Sequence, residues 1–284
     1  PAEGSTWTTP LDNGSQIQVK ITINSDPDFP TAATIDFRGT SPQQPNNFNA
    51  PRAIAKAAVL YVFRTLVADN IPLNAGCLKP LDIIIPAKSI LSPSHPAAVV
   101  AGNVETSQAV VDTLYAALGI LANSQGTMHN FTFGNDRHQY YETICGGSGA
   151  GCDLSGKSFP GTDAVQTHMT NSRLTDPEVL EWRYPVLVEK FAIRPNSGGA
   201  GQYPGGNGVI RRIRFLETMT AGILSQRRSL PPQGINGGHP ALPGETFVDR
   251  QGGDRDPLKA TDQALLHPGD CIEIQTPGGG GYGK

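Results

Sequence analysis

Four cysteines among 284 residues are too few for a disulfide scaffold. Cys77 and Cys271 stand alone, and Cys145 and Cys152 are seven apart, which fits neither a zinc knuckle nor a CxxC redox pair. Reduced, structural thiols in a cytoplasmic protein are therefore expected. An excess of one charge is also missing. Twenty-two Lys and Arg against 25 Asp and Glu leave a net charge of −3 with no polybasic run, which speaks against nucleic acid and anionic membrane as partners. No apolar run approaches the roughly 20 residues needed to span a bilayer. The start, Pro1-Ala2-Glu3-Gly4, has neither a basic segment nor an apolar one, so no signal peptide is expected.

Glycine and proline are abundant instead, 33 and 24 residues. That density means many tight turns, yet aliphatic segments recur throughout, so the chain reads as globular rather than disordered. Its length suits one large domain or two modest ones.

The expected fold class is α+β, in three regions. Residues 1–50 read as a β meander and linker: the turn signal Asp12-Asn13-Gly14, the alternating strand Ile17–Ile23, and a second strand Ala33–Phe37. Residues 51–183 read as a central α/β region with two long buried helices and glycine-rich loops. Pro51 suits the first turn of the first helix, with Asn49 as its cap and Ile54, Ala57, Ala58, Tyr61 and Val62 on its inner face. The strand Leu81–Ile85 follows. A second helix starts near Asn103, and a short third one opens at Asp176-Pro177. Residues 184–284 read as antiparallel all-β, with strands at Val186–Ile193, Val209–Leu216, Thr220–Gln226 and Cys271–Gln275.

The stretch from Ser124 to Asp176 gathers what a small-molecule site needs. It holds three of the six histidines (His129, His138, His168), Glu142 among tyrosines, several amides and the glycine run Gly146–Gly151. His168, flanked by Thr167, Thr170 and Asn171, is the best single candidate for a general base. Gly151–Ser158 spells the phosphate-loop pattern G-x-x-x-x-G-K-S, but Phe159-Pro160-Gly161 follows at once, where that motif requires a helix. A chance match is the better reading. His129, His138, His168, Glu142, Asp136, Asp153 and Asp163 lack tight ligand spacing, so no metal is expected to be held from within this chain. The closing Thr276–Gly283, with four consecutive glycines, reads either as a loose tail or as backbone that comes close to a partner.

Taken in order, several segments resemble the hydantoinase B/5-oxoprolinase family. They are Asn49–Ala53, Ile71–Cys77, Ala98–Gln108, Ser124–Met128, Tyr140–Thr143, Gly147–Gly151, His168–Asn171, Thr175–Glu178, Arg183–Pro185 and Thr276–Gly283. The similarity covers nearly the whole chain and is nearest the 5-oxoprolinase branch. It implies a hydrolase, part of an ATP-dependent multi-subunit system that opens a cyclic amide. The substrate would be 5-oxoproline, opened to glutamate in glutathione metabolism, or a hydantoin, opened to an N-carbamoyl amino acid. ATP and Mg would be bound by a separate A-type ATPase module that phosphorylates the amide oxygen. Family B modules are longer at the N-terminus, so the resemblance implies that this chain is the C-terminal part of one. The missing part would be a partner, would carry any divalent metal, and its absence would leave the isolated segment inactive. Apart from the resemblance, long β edges in the C-terminal third point to pairing with another chain, so an oligomer is expected. The resemblance makes His168, Asn171 and Glu142 catalytic candidates, and Asn103, Glu105, Asn130, Gly147 and Gly149 candidates for substrate binding. Related acetone and acetophenone carboxylases leave a carboxylase subunit open, and a non-catalytic scaffold that completes a partner's site is a third reading.

Overall fold

The computed structural model describes residues 4–24 and 31–284; Pro1–Glu3, read above for a leader, and residues 25–30 lie outside the described residues. The chain is α+β and divides into two compact units, residues 1–121 with 152–157, and residues 122–151 with 158–284. The boundaries expected at 50 and 183 fall inside these units. Strand pairing explains why, because strands on either side of each expected boundary join the same sheet.

In the first unit, β1 (Ser5–Pro10), β2 (Gln16–Ile23) and β3 (Ala33–Asp36) form an antiparallel meander, and β4 (Leu81–Ile84) adds to β3 in parallel. Asp12-Asn13-Gly14 makes the turn between β1 and β2, with Gly14 at φ 83°. Alternation in β2 buries Ile17, Val19 and Ile21 on one face. Helix α2 (Ser107–Leu118) lies against β1 and β2, and α1 (Arg52–Thr65) packs on α2.

The helices differ from expectation. In α1 only Ala55, Ala58, Val59 and Val62 are buried, so its inner face is narrower than the apolar sequence implied, and Ala57 is exposed. Helix α2 is the enclosed one, buried from Ser107 through Ala117 and stopped by Gly119 in the left-handed region at φ 70°. A π-helical turn, Gly102–Thr106, precedes it. Asn49 does not cap α1; Pro51 takes that place without a side-chain bond. Its carboxamide instead ties the linker together, accepting from Gln44 N and donating to the Gln44, Asn46 and Ala98 carbonyls.

The second unit holds two sheets. In one, β5 (Asn130–Gly134) and β6 (Gln139–Thr143) join β11 (Met219–Leu224) and β14 (Thr261–Leu266) in the order β14-β11-β5-β6. In the other the order is β13-β12-β15-β10-β9, from β9 (Val186–Ile193), β10 (Val209–Phe215), β12 (Glu245–Asp249), β13 (Arg255–Pro257) and β15 (Cys271–Gln275). Their inward faces share one hydrophobic cluster that includes Phe131, Phe133, Ala221 and Ile223 from the first and Ile213, Phe215, Val248 and Ile272 from the second. Phe133 sits at its centre, edge-on to Tyr184 and Phe215 with ring centroids 5.8 and 5.4 Å away. Helix α3 (Pro177–Arg183) starts as read: Asp176 Oδ1 accepts from Glu178 N at 2.9 Å, and Pro177 occupies the first turn. The short strands β7 (Gly151–Cys152) and β8 (Ser158–Phe159) are the arms of a small hairpin.

Beside the sheets the second unit has an interior of a different kind. Loops around Gly147, Gly161, Gly199–Gly206, Gly234–Gly238 and Gly278–Gly281 bond to one another through their backbones. Gly206 N donates to Ser148 O, Gly279 N to Gly206 O, Gly199 N to Gly279 O, Ala150 N to Gly280 O, Gly281 N to His239 O and Ile235 N to Gly281 O. The chains approach so closely that a Cβ on Gly205 would stand 1.8 Å from Gly279 O, and one on Gly279 would stand 1.9 Å from Ser148 O. Only glycine fits there. The closing glycine run is therefore no loose tail; it is the buried spine of this network, and the backbone it approaches is its own.

Candidate functional site

The segment leading into β5, residues 122–131, is buried throughout although it is largely polar. Left-handed backbone at Gly126, φ 69°, and His129, φ 46°, lets it thread between the network and the sheets. Ser124 Oγ accepts from Gly149 N at 3.1 Å, and Gln125 N donates to Gly147 O. Thr127 Oγ1 accepts from His129 N at 3.1 Å and from Gln226 N at 3.3 Å, joining the entry of β5 to the exit of β11. Asn123 Oδ1 accepts from Gln233 N at 3.3 Å. His129 has no exposed surface, and burial, followed by the nearby Arg228 charge, holds its imidazole well below the usual value of 6.5 against a smaller opposing pull from the Ile144 backbone. It is a neutral ring at physiological pH.

On β6 and β10, Glu142 and Arg211 form a buried ion pair. Arg211 Nε lies 2.6 Å from Oε1, and its Nη2 lies 3.0 Å from Oε2, a two-pronged geometry. The Tyr140 hydroxyl donates to Glu142 Oε2 at 2.8 Å and lies 3.0 Å from Thr175 Oγ1. Burial, then the charge of Glu142, pushes the Tyr140 phenol up to about 12, and burial pushes the nearby Cys145 thiol up to about 11. All four cysteines are free thiols, with Cys145 and Cys271 buried.

His168 is half-buried, in a loop joined to the glycine segment by the bridge between Gly146 and Val165, and its backbone is left-handed at φ 55°. The phosphate-loop look-alike is a turn, in which Asp153 Oδ1 accepts from Ser155 N and Lys157 N, and Ser158 continues into a strand rather than a helix. An open groove of about 550 Å³ crosses the outer face of the β14-β11-β5-β6 sheet, lined by residues such as Thr132, Tyr141, Thr220 and Gln263. None of the candidate site residues lines it.

The description "Hydantoinase B/oxoprolinase" belongs to the family model that matches this chain, and it matches residues 1–284. The chain belongs to the hydantoinase B/oxoprolinase family. It is 48% identical over 274 residues to 5-oxoprolinase 1 of Arabidopsis thaliana, covering 96% of this chain and 21% of that protein. The chain thus spans about a fifth of the length of the curated relative it matches. Two solved structures share the fold. The ATP-dependent caprolactamase of Pseudomonas jessenii does so with a TM-score of 0.81 at 20% identity, over 100% of this chain and 52% of that one. A nucleotide-free acetone carboxylase does so with a TM-score of 0.79 at 15% identity, over 99% of this chain and 44% of that one.

Within this hydantoinase B/oxoprolinase chain the candidate residues occupy different settings. Asn171 is exposed and His168 is half-buried. Glu142 is held by Arg211. Asn130 spans its sheet, donating to Leu224 O and accepting from the Tyr141 hydroxyl. Gly147 and Gly149 belong to the glycine network, where their missing side chains admit Gly206 O and Ala122 O. Asn103 and Glu105 lie on the π-helical turn of the first unit, Asn103 exposed and Glu105 fully buried. Gln226 and Arg211, which meet Thr127 and Glu142, carried no local signal, because each reaches its partner only through strand pairing of distant segments.

Proposed function

We propose that this chain is part of an ATP-dependent enzyme that hydrolyses a five-membered cyclic amide, with 5-oxoproline opened to glutamate as the leading reaction and hydantoin opening as its close variant. The observation that carries the reading is the 48% identity to a 5-oxoprolinase across 96% of the chain. The caprolactamase, also an ATP-dependent enzyme named for a cyclic amide, supports it through a shared fold. A carboxylase subunit rests on fold likeness at 15% identity alone.

This reading places ATP and any divalent metal outside the chain. Among the described residues no three His, Cys, Asp or Glu side chains stand together as metal ligands, and the Gly151–Ser158 turn opens no helix to receive phosphate. Both are assigned to polypeptide outside the chain, an A-type module and the remainder of the B module, with the catalytic step completed there. Among the described residues no helix is long and apolar enough to cross a membrane, and the proposed setting is the cytoplasm.

The test is glutamate release by the full-length protein supplied with 5-oxoproline, with and without ATP. Stoichiometric release of glutamate and ADP only when both are present is expected, and none from the isolated segment. Consumption of hydantoin, or of acetone with bicarbonate, while 5-oxoproline is left untouched would overturn the leading reaction.

A further inference from the structure

The outer face of the β14-β11-β5-β6 sheet carries no charge. Strand register sets Tyr141, Thr132, Gly222 and Gln263 in one row across the four strands. Gln139, Gly134, Thr220 and Leu265 make the next row. None of the outward positions on these strands is Lys, Arg, Asp or Glu, because alternation turns Glu142 and Asp262 to the other face. The second sheet of the same unit is the reverse. On its outer face Arg212 meets Glu189 and Asp249, Arg214 meets Glu189, and Arg255 meets Glu273. Charged side chains of that kind are what a face kept in water carries.

The uncharged face is also the hollow one. The open groove of about 550 Å³ lies over both of its rows, with Gly134 and Gly222 among its lining residues. At those two positions no side chain stands on the sheet, so another backbone can approach it closely. The exposed Tyr141 ring is fixed beside them by its hydroxyl, which donates to Asn130 Oδ1 at 2.8 Å. Thr132, Thr220, Gln139 and Gln263 are exposed, and their hydroxyls and carboxamides can each donate and accept. Peptide groups offer the same pair of functions. Depletion of charge together with an exposed tyrosine marks the inner part of a protein contact rather than its rim.

We propose that this groove seats a segment of the same protein that lies outside this chain, an uncharged ridge whose backbone runs over the glycines and whose apolar side chain rests on Tyr141. Length and shape select that occupant. The chain accounts for 21% of 5-oxoprolinase 1, and all of it superposes on 52% of the caprolactamase chain, so both carry long polypeptide beyond the matched part. A second copy would have to meet this face with the same patch, and a hollow set against a hollow leaves a void. A charged partner would find no counter-charge in the groove. The proposal rests on the preceding reading only in taking this chain as part of a longer protein, and not on the reaction.

The experiment is thiol labelling of the full-length protein carrying Thr132→Cys or Gln263→Cys. N-ethylmaleimide is the probe, and mass spectrometry of the peptides keeps the native cysteines apart. Gly252→Cys, in the exposed turn after β12 with nothing within 4 Å, is the control. Both groove thiols should label at least about tenfold more slowly than the control, as groups reached only when a contact opens do. Adding Thr220→Lys to Gln263→Cys should bring its rate back to that of the control, because an unpaired charge is not tolerated in a dry contact. Groove thiols that label as fast as the control overturn the proposal. Protection that is lost on dilution also overturns it, since that behaviour belongs to a second copy. Protection that survives Thr220→Lys overturns the uncharged ridge. Turnover of 5-oxoproline by a protein whose groove thiols label freely sinks the docking surface and leaves the function standing, whereas protected thiols in a protein that opens no cyclic amide do the reverse.

Discussion

Phe131, Phe133, Phe215 and Ile272 hold the two sheets of the second unit together by filling space, each almost completely buried. In the glycine network of the same unit, space must not be filled. There Gly147, Gly205, Gly206 and Gly279 bring carbonyl and amide groups into direct contact with no side chain between them. The first interior gains from apolar area removed from water, and the second gains from satisfied backbone hydrogen bonds at van der Waals contact. A sheet core tolerates volume-conserving exchange. A backbone core tolerates no addition, so it holds the loops that meet in it in one arrangement, at the cost of ordering many glycines.

The largest expected effect follows directly. Gly279→Ala places a methyl 1.9 Å from Ser148 O, with backbone rather than a flexible side chain in the way, and should cost more than about 5 kcal/mol, enough to unfold the second unit. Phe215→Ala, which removes a whole ring from the sheet core, should cost about 3–5 kcal/mol. Gly252→Ala, where nothing stands within 4 Å, should lie within about 0.5 kcal/mol of wild type. Urea unfolding of the three variants checks the order. If one added carbon at Gly279 proved milder than six removed at Phe215, the contrast between the interiors would collapse.

The same contrast explains which parts of the fold were legible in the sequence. Side-chain packing leaves a pattern: Ile17, Val19 and Ile21 in β2, and Val209, Ile213 and Phe215 in β10, announce strands by alternation. Asp176-Pro177 announces α3. The pattern fades where strands are short and polar. In β5 only Phe131 and Phe133 alternate, and β12 and β14 read Glu-Thr-Phe-Val-Asp and Thr-Asp-Gln-Ala-Leu-Leu, so they passed as loop. Backbone packing leaves no pattern at all. Composition announced tight turns, but not that Gly278–Gly281 would meet Gly147 and Gly199–Gly206. For the site, the amides and histidine from Ser124 to Asn130 stand together in the sequence and in one buried segment, while Gln226 and Arg211 arrive from segments some seventy residues or more away.

The sheet core has one feature the glycine network lacks, a charged pair within it. Glu142→Ala leaves the Arg211 guanidinium buried and uncompensated and should cost roughly 3–5 kcal/mol. If Glu142 is structural, Glu142→Leu combined with Arg211→Met should recover most of that loss, because two apolar groups of similar volume need no partner. Denaturant midpoints of the single and double variants decide it. A double variant as unstable as the single one would mean the pair does more than neutralise itself, and Glu142 would return as a functional group.

A smaller effect than the loss of Glu142, and one that depends on pH, lies where the two interiors meet, at His129. Its proton affinity is lowered in the folded protein, by burial and by the charge of Arg228 against the weaker pull of the Ile144 backbone. As pH falls through 6.5, the ordinary imidazole value, the unfolded chain takes up the proton and the folded one does not. The unfolded state then binds more protons, so stability rises with pH across that window and falls on acidification, with a slope that approaches about 1.4 kcal/mol per pH unit. Above it both states are neutral at this residue and the contribution vanishes. His129→Gln removes the titration while keeping a polar, uncharged side chain. The difference in stability between wild type and variant should therefore be nearly flat from pH 8 to about 7 and change by about 1 kcal/mol between about pH 6.5 and 5.5, where most carboxylates remain ionised in both states. Parallel curves would mean that His129 takes up its proton without unfolding, and that the junction between the interiors is open to water rather than closed.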